Sequence, residues 1–157
     1  ALVGLLQIQS RLHLINVTWG LIMPYTALSV AISTFIMRGV FETVPTEIIH
    51  SAHVDGASSL RTLLEIVLPL VRNGIVVVII VNFVAAWGEY LLATTLMNDQ
   101  SHRTLPVVIV NATGGMGAWK WPNVAAVYVM AVIPGLVAFG ISQRWYMKGL
   151  QEGAMKA

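Results

Sequence analysis

The sequence has no cysteine and little charge, and each shortage excludes something. Without cysteine there is no disulfide framework, no thiolate metal site and no cysteine nucleophile, although the redox compartment stays open. Asp, Glu, Lys and Arg together make up 10% of the 157 residues, against roughly 25% in an ordinary globular protein. Hydrophobic residues account for 57% and mean hydropathy is +0.77, so there is too little polar surface to cover a water-soluble core of this size. Nine Lys plus Arg against seven Asp plus Glu leave a net charge of +2 with no basic run, which gives no nucleic-acid footprint in spite of a pI near 9.2. A phosphate-binding loop of the G-x-x-x-x-G-K-S/T type is also missing. The closest stretch, GGMGAWK from Gly114, lacks the spacing and the following hydroxyl. No internal repeat or low-complexity tract is visible.

What the sequence does have is long apolar runs. A hydrocarbon core of about 30 Å needs roughly 20 helical residues. Residues 14–37 and 123–142 carry no Asp, Glu, Lys or Arg, and residues 73–97 carry only Glu89. Each predicts a membrane span, and the valine and isoleucine run over 75–81 therefore reads as helix rather than strand. Arg38, Arg61 and Arg72 lie between the first two spans, and Arg144, Lys148 and Lys156 follow the third. Arg11, Arg103 and Lys120 fall on the opposite side, so the positive-inside rule places the loop over 38–72 and the tail over 143–157 in the cytoplasm. Trp119 and Trp121 before the last span, and Trp145 with Tyr146 after it, suit interfacial belts. Pro122 suits a first helical turn, while Pro24 and Pro134-Gly135 should bend helices that have neighbours. The apolar opening, residues 1–6, reads as the tail of an earlier membrane helix of a longer subunit, and 114–117 as a flexible outer loop. The expected fold is all-α: a polytopic transmembrane helical bundle with a cytoplasmic helix-turn-helix segment.

That cytoplasmic segment carries the most specific pattern. Pro45 fits the start of a first short helix over 45–54, and Asp55-Gly56 fits its end, because glycine accepts a left-handed backbone. Asp55 can bond free amides at the turn, and Ser58 or Ser59 can cap a second helix. In that helix Leu60, Leu63, Leu64, Val67 and Leu68 follow i, i+3, i+4, i+7, i+8 spacing and predict one apolar stripe ending near Pro69.

The stretch PTEIIHSAHVDGASSLRTLLEIVLP resembles the EAA loop of binding-protein-dependent ABC importer permeases, through Pro45, Glu47, Ala52, Asp55, Gly56, Ala57, Leu68 and Pro69. The ending, with Gln143, Arg144, Gly149, Leu150, Gly153, Ala154 and Lys156, is similar to that of the MalG-like carbohydrate uptake permeases. Three positions depart from the pattern: His50-Ser51 replaces a Glu-Ala pair, Gly88 follows Trp87 where Asn is common, and Asn73 stands where Pro is frequent. The imidazole makes any charged contact at that point weaker or pH-dependent.

The resemblance implies a multi-pass subunit of the cytoplasmic membrane that is not itself an enzyme. It would couple ATP hydrolysis in a partner to import of a sugar or polyol. The chain itself would bind no cofactor; ATP and Mg would be bound by a cytosolic ATPase dimer. A second permease subunit, an extracytoplasmic solute-binding protein and the lipid bilayer would complete the partners. Glu47, Ile48, His50, Ala52, Asp55, Gly56 and Ala57 would form the ATPase-coupling contact, with Ile48, Ile49 and Ala52 as an apolar knob. The tail from Trp145 is either a solvated end or an ATPase contact. For the substrate path the polar interruptions Asn82, Trp87, Glu89 and Tyr90 are the candidates, since an aromatic face beside a carboxylate suits a sugar ring. Glu89 either contacts substrate, or pairs with a partner-subunit cation or lies at the interface, because a carboxylate at the centre of the bilayer costs roughly 2.5 to 3.5 kcal/mol. The alternative function is an ion-coupled secondary transporter or channel subunit with Glu89 as its coupling carboxylate, and a membrane anchor for a signalling or assembly complex is a third. His50, His53 and Asp55 are expected to be solvated and to bind no metal.

Overall fold

The computed structural model describes residues 2–114 and 120–154; the side chains of Ser142 and of residues 144–154 lie outside that description. All regular structure among the described residues is helical. In chain order these are α1 (Leu2–Arg11), α2 (Thr18–Glu42), α3 (Thr46–Val54), α4 (Ser59–Leu70), α5 (Arg72–Trp87), α6 (Leu91–Leu96), a single 3₁₀ turn (Gln100–His102), α7 (Leu105–Gly114) and α8 (Trp121–Ala154).

Among the described residues two helices, Thr18–Glu42 and the Trp121–Ile141 part of α8, are long and apolar enough to cross a membrane. The α2 helix, 25 residues long, extends about 37 Å at the α-helical rise and runs through Pro24. Only 11% of its apolar window and 6% of that of α8 is buried within the chain. Phe35 and Trp121, 80% and 83% exposed, therefore face something other than this polypeptide, and lipid or a partner helix is the medium in which such surfaces are stable.

The segment expected as one span over 73–97 is divided. The α5 helix stops at Trp87, residues 88–90 leave the helical path, and α6 resumes at Leu91. Gly88 is a poor helix former, and the Glu89 side chain competes for backbone donors of the following turn, so two local preferences favour a break there. At its other end α5 meets α4 at 73°, and the two together form a third apolar segment of spanning length. The loop expected over 38–72 is shortened because α2 continues to Glu42, and the tail expected from 143 starts inside α8, which runs on to Ala154. Helix α7 had no counterpart in the expectations. Pro122 lies in the first turn of α8 as expected, Gly114 ends α7, and residues 115–119 with Trp119 lie outside the described part.

The chain divides into two compact units. One comprises residues up to Ser29 with Phe83–Ala138. Its core is Leu21, Ala93, Leu96, Met97 and Val107, backed by Leu5, Leu6, Tyr25 and Leu92. Gly20 is required by a close approach here, since a Cβ would overlap the Leu14 carbonyl oxygen. The buried Gln9 amide donates to the Gly20 carbonyl at 3.0 Å. Asn16, in the left-handed region at φ 60°, donates its N–H to the Leu96 carbonyl and accepts from the Asn98 and Asp99 amides, which ties down the end of α6.

The other unit comprises Val30–Asn82 with the chain from Phe139 on. Val44, Val67 and Val71 form its core, with Met37, Val40, Ile49, Leu68 and Ile75 packed around them. Beside this cluster Gly74 lets α5 approach α2, because a Cβ there would fall onto the Val40 side chain.

Candidate functional site

The turn between α3 and α4 is built by its backbone. Pro45 occupies the N-cap of α3 at φ −60°, ψ 132°, and Glu47 sits in the first turn, where a carboxylate complements the helix dipole. At the other end Gly56 adopts φ +80°. Its N–H donates to the His53 carbonyl and that of Ala57 to the Ala52 carbonyl, both at 3.0 Å. These are the paired bonds of a Schellman turn, and they satisfy carbonyls that a helix end leaves open. Ser58 then caps α4, its Oγ accepting from the Arg61 amide at 3.4 Å.

After its first turn α4 widens into a π-helical segment, Thr62–Val67, which ends two residues before Pro69, a residue with no N–H to offer the i−4 carbonyl. The widening shifts side-chain register. As a result Thr62, Val67 and Val71 are buried, whereas Leu60, Leu63 and Leu64 are exposed. The single stripe expected over Leu60 to Leu68 is therefore split, with only its C-terminal end facing the cluster.

The coupling residues expected on α3 are likewise sorted by the fold. Ala52 is 5% exposed and lies inside the elbow, Ile49 packs on the valine cluster, and Ile48 is half-buried. Glu47, His50, Ser51, His53, Val54 and Asp55 are exposed, with Val54 at 87% the most open large hydrophobic residue among those described. The Ser51 hydroxyl donates to the Glu47 carbonyl at 2.6 Å, so its polar group is satisfied along the helix. Gly56 and half-buried Ala57 form the turn. Arg61 pairs with Glu65 at 2.8 Å; both groups are exposed, so the pair adds little stability.

Among the expected path residues, Asn82 lies in the unit of the elbow and Trp87, Glu89 and Tyr90 in the other. The Asn82 amide donates to Ser33 Oγ and to the Val78 carbonyl, each at 2.8 Å. Trp87 stacks on Phe83 with centroids 5.7 Å apart, and its indole N–H donates to the Ala131 carbonyl at 2.9 Å, one turn before Pro134. Half-buried Glu89 receives the Leu92 amide at Oε1, 2.7 Å, and both the Ala93 amide and the Tyr25 hydroxyl at Oε2, 3.0 and 2.8 Å. Tyr90 is exposed at the start of α6. The carboxylate is thus engaged inside the chain, a third possibility beside the substrate contact and the partner cation.

Tyr25, Ser33 and Ala131 were not anticipated. A signal for the first two existed: a phenol and a hydroxyl in an otherwise apolar span need partners where water is absent. Among the described residues no three His, Cys, Asp or Glu side chains come together as a metal set. On the loop after α6, the Asp99 carboxyl is held below its usual pKa chiefly by hydrogen bonds from Ser101.

Residues 2–151 match the family of binding-protein-dependent transport system inner membrane components. The chain belongs to this family. The apolar helices suit an inner membrane component of that kind. Over 155 residues it is 35% identical to a sulfoquinovosyl glycerol transport system permease protein of Agrobacterium fabrum, covering 99% of this chain and 54% of that one. It is 30% identical over 147 residues to an sn-glycerol-3-phosphate transport system permease protein of Pectobacterium atrosepticum, covering 93% and 52%. The chain spans about half the length of these curated relatives.

Proposed function

We propose that the chain forms part of the permease subunit of an ABC importer that carries a sugar or related polyol across the cytoplasmic membrane. The observation that carries this reading is the elbow: a short helix with an open polar face, joined by a positive-φ glycine turn to a second helix and anchored at its base by an apolar cluster. Such a lever receives force without doing chemistry. Its outward face, Glu47, His50, Val54 and Asp55, docks on a cytosolic ATPase dimer, which binds ATP and Mg. Closure of that dimer moves the elbow as a body and rocks the spans, alternating access to a path shared with a second permease subunit. An extracytoplasmic binding protein delivers the solute. The names of the relatives support a glycoside or glycerol derivative as cargo.

An ion-coupled carrier with Glu89 as its titrating group is not favoured, since both oxygens of that carboxylate already accept hydrogen bonds within the chain. The test is reconstitution of the subunit with its copurifying partners in vesicles. Accumulation of sn-glycerol 3-phosphate or sulfoquinovosyl glycerol that requires ATP, and disappears in Gly56→Val while the helices still insert, is expected. Accumulation driven by an ion gradient without ATP and unchanged in Gly56→Val would overturn the proposal.

A further inference from the structure

The geometry points to Tyr25 and Glu89 as a positioning pair that fixes the break after α5 in register with α2, not as substrate ligands. This inference rests on the permease reading for its transport readout. An ionised carboxylate only accepts hydrogen bonds, at about four lone-pair positions. Three donors reach Glu89: the Leu92 and Ala93 amides and the Tyr25 hydroxyl, at 2.7, 3.0 and 2.8 Å. The first two belong to the opening turn of α6, whose N–H groups have no partner within the helix and would lack one in an apolar medium. Glu89 therefore settles two problems with one side chain, its own charge and the open amides of a six-residue helix.

Tyr25 adds direction. Its ring packs on the cluster of Leu21, Ala93, Leu96, Met97 and Val107, and its hydroxyl holds the carboxylate from α2. The core below α6 has essentially no exposure, with Ala93 and Leu96 at 0% and Met97 at 1%. The helix is held from below by packing and at its start by the carboxylate, and Tyr25 takes part in both. Three of the roughly four acceptor positions are taken, so a sugar hydroxyl bonding Glu89 anywhere but the remaining Oε1 position would have to displace Tyr25 or a backbone amide. The pair acts instead by setting where Tyr90 and the start of α6 stand. Loss of the Tyr25 link would loosen that placement while leaving the Glu89 carboxylate and the Tyr90 side chain in the chain.

The test compares Tyr25→Phe, Glu89→Gln and the double variant in the reconstituted complex, with ATP-driven uptake expressed per complex. Hydrogen exchange at the Leu92 and Ala93 amides is read on the same samples. Each single variant is expected to lower the maximal uptake rate roughly three- to tenfold with KM within about twofold of the unmodified complex, the scale of the net contribution of one intramolecular hydrogen bond. The double variant should be no worse than Glu89→Gln, because the two residues act through one link. Exchange at both amides should rise in either single variant. A roughly tenfold rise in KM for Glu89→Gln beside an unchanged Tyr25→Phe would make Glu89 a ligand and overturn the inference. Reduced amounts of complex with unchanged rate and KM per complex would overturn it too, as would unchanged amide exchange in both variants. The exchange measurement reads the pair whether or not solute moves, so absence of ATP-driven uptake in the unmodified complex bears on the permease reading separately.

Discussion

The elbow and the break after α5 hold polar side chains under opposite rules. On α3 the polar groups Glu47, His50 and His53 are exposed, and the shape comes from a backbone turn at Gly56 and an apolar cluster behind it. Around the break Glu89 and Trp87 are engaged by Tyr25, backbone amides and the Ala131 carbonyl. In the proposed topology water supplies partners on the elbow, which leaves its polar residues free to meet another protein. An apolar medium supplies none, so a polar residue there is first a structural bond within the chain. Polar character in an apolar run therefore marks a contact, and only geometry tells whether that contact is within the chain or with a solute.

The contrast can be broken at its apolar foundation. Gly74→Leu should have the largest effect, since its side chain must occupy the space of Val40; overpacking of this kind costs about 1–3 kcal/mol, read as a lower unfolding midpoint of the purified subunit. Gly56→Val comes next. A Cβ in the left-handed region costs about 1–2 kcal/mol, concentrated on the turn, so ATP-driven uptake should vanish while the apolar helices keep their place. Asn82→Leu removes one interhelical bond to Ser33 and should cost only about 0.6 kcal/mol, the average for such bonds in membranes, detected by a double-mutant cycle with Ser33→Ala. A cost well above that would mean Asn82 serves more than a helix contact.

The smallest effect concerns acid. The Asp99 carboxyl has a lowered pKa in the folded chain, so its contribution is present above the ordinary carboxylate range and is lost as pH falls through the lowered value. Exchange of the Ser101 amide, bonded to Asp99 Oδ1 at 3.4 Å, should accelerate only below that range, whereas Asp99→Asn should flatten the dependence.

Much of the elbow was legible in the residues because its features are local. Proline before a helix, Asp-Gly at its end and serine before the next each act within a few positions. The register of α4 was not legible, because the π-helical segment that moves Leu60, Leu63 and Leu64 outward depends on how Val67 and Val71 meet Val44. Ala52 read as a docking residue by its place in the motif, yet burial is decided by packing within the elbow. Glu89 was visible as the one charge in its apolar run, but its partner sits 64 residues earlier, and no local pattern joins Tyr25 to it. Helix α7 escaped because its ten residues are too few to announce a span.

The account stands on which face of α3 looks outward, and because these 157 residues contain no cysteine, single cysteines introduced among them allow a direct measurement. Single variants His50→Cys, Ala52→Cys and Val54→Cys, cross-linked in membranes to the copurifying ATPase, should give strong products at positions 50 and 54 and little at 52. Strong cross-linking at 52 with none at 50 and 54 would mean that the buried side of the elbow is the contacting one, and would contradict the account.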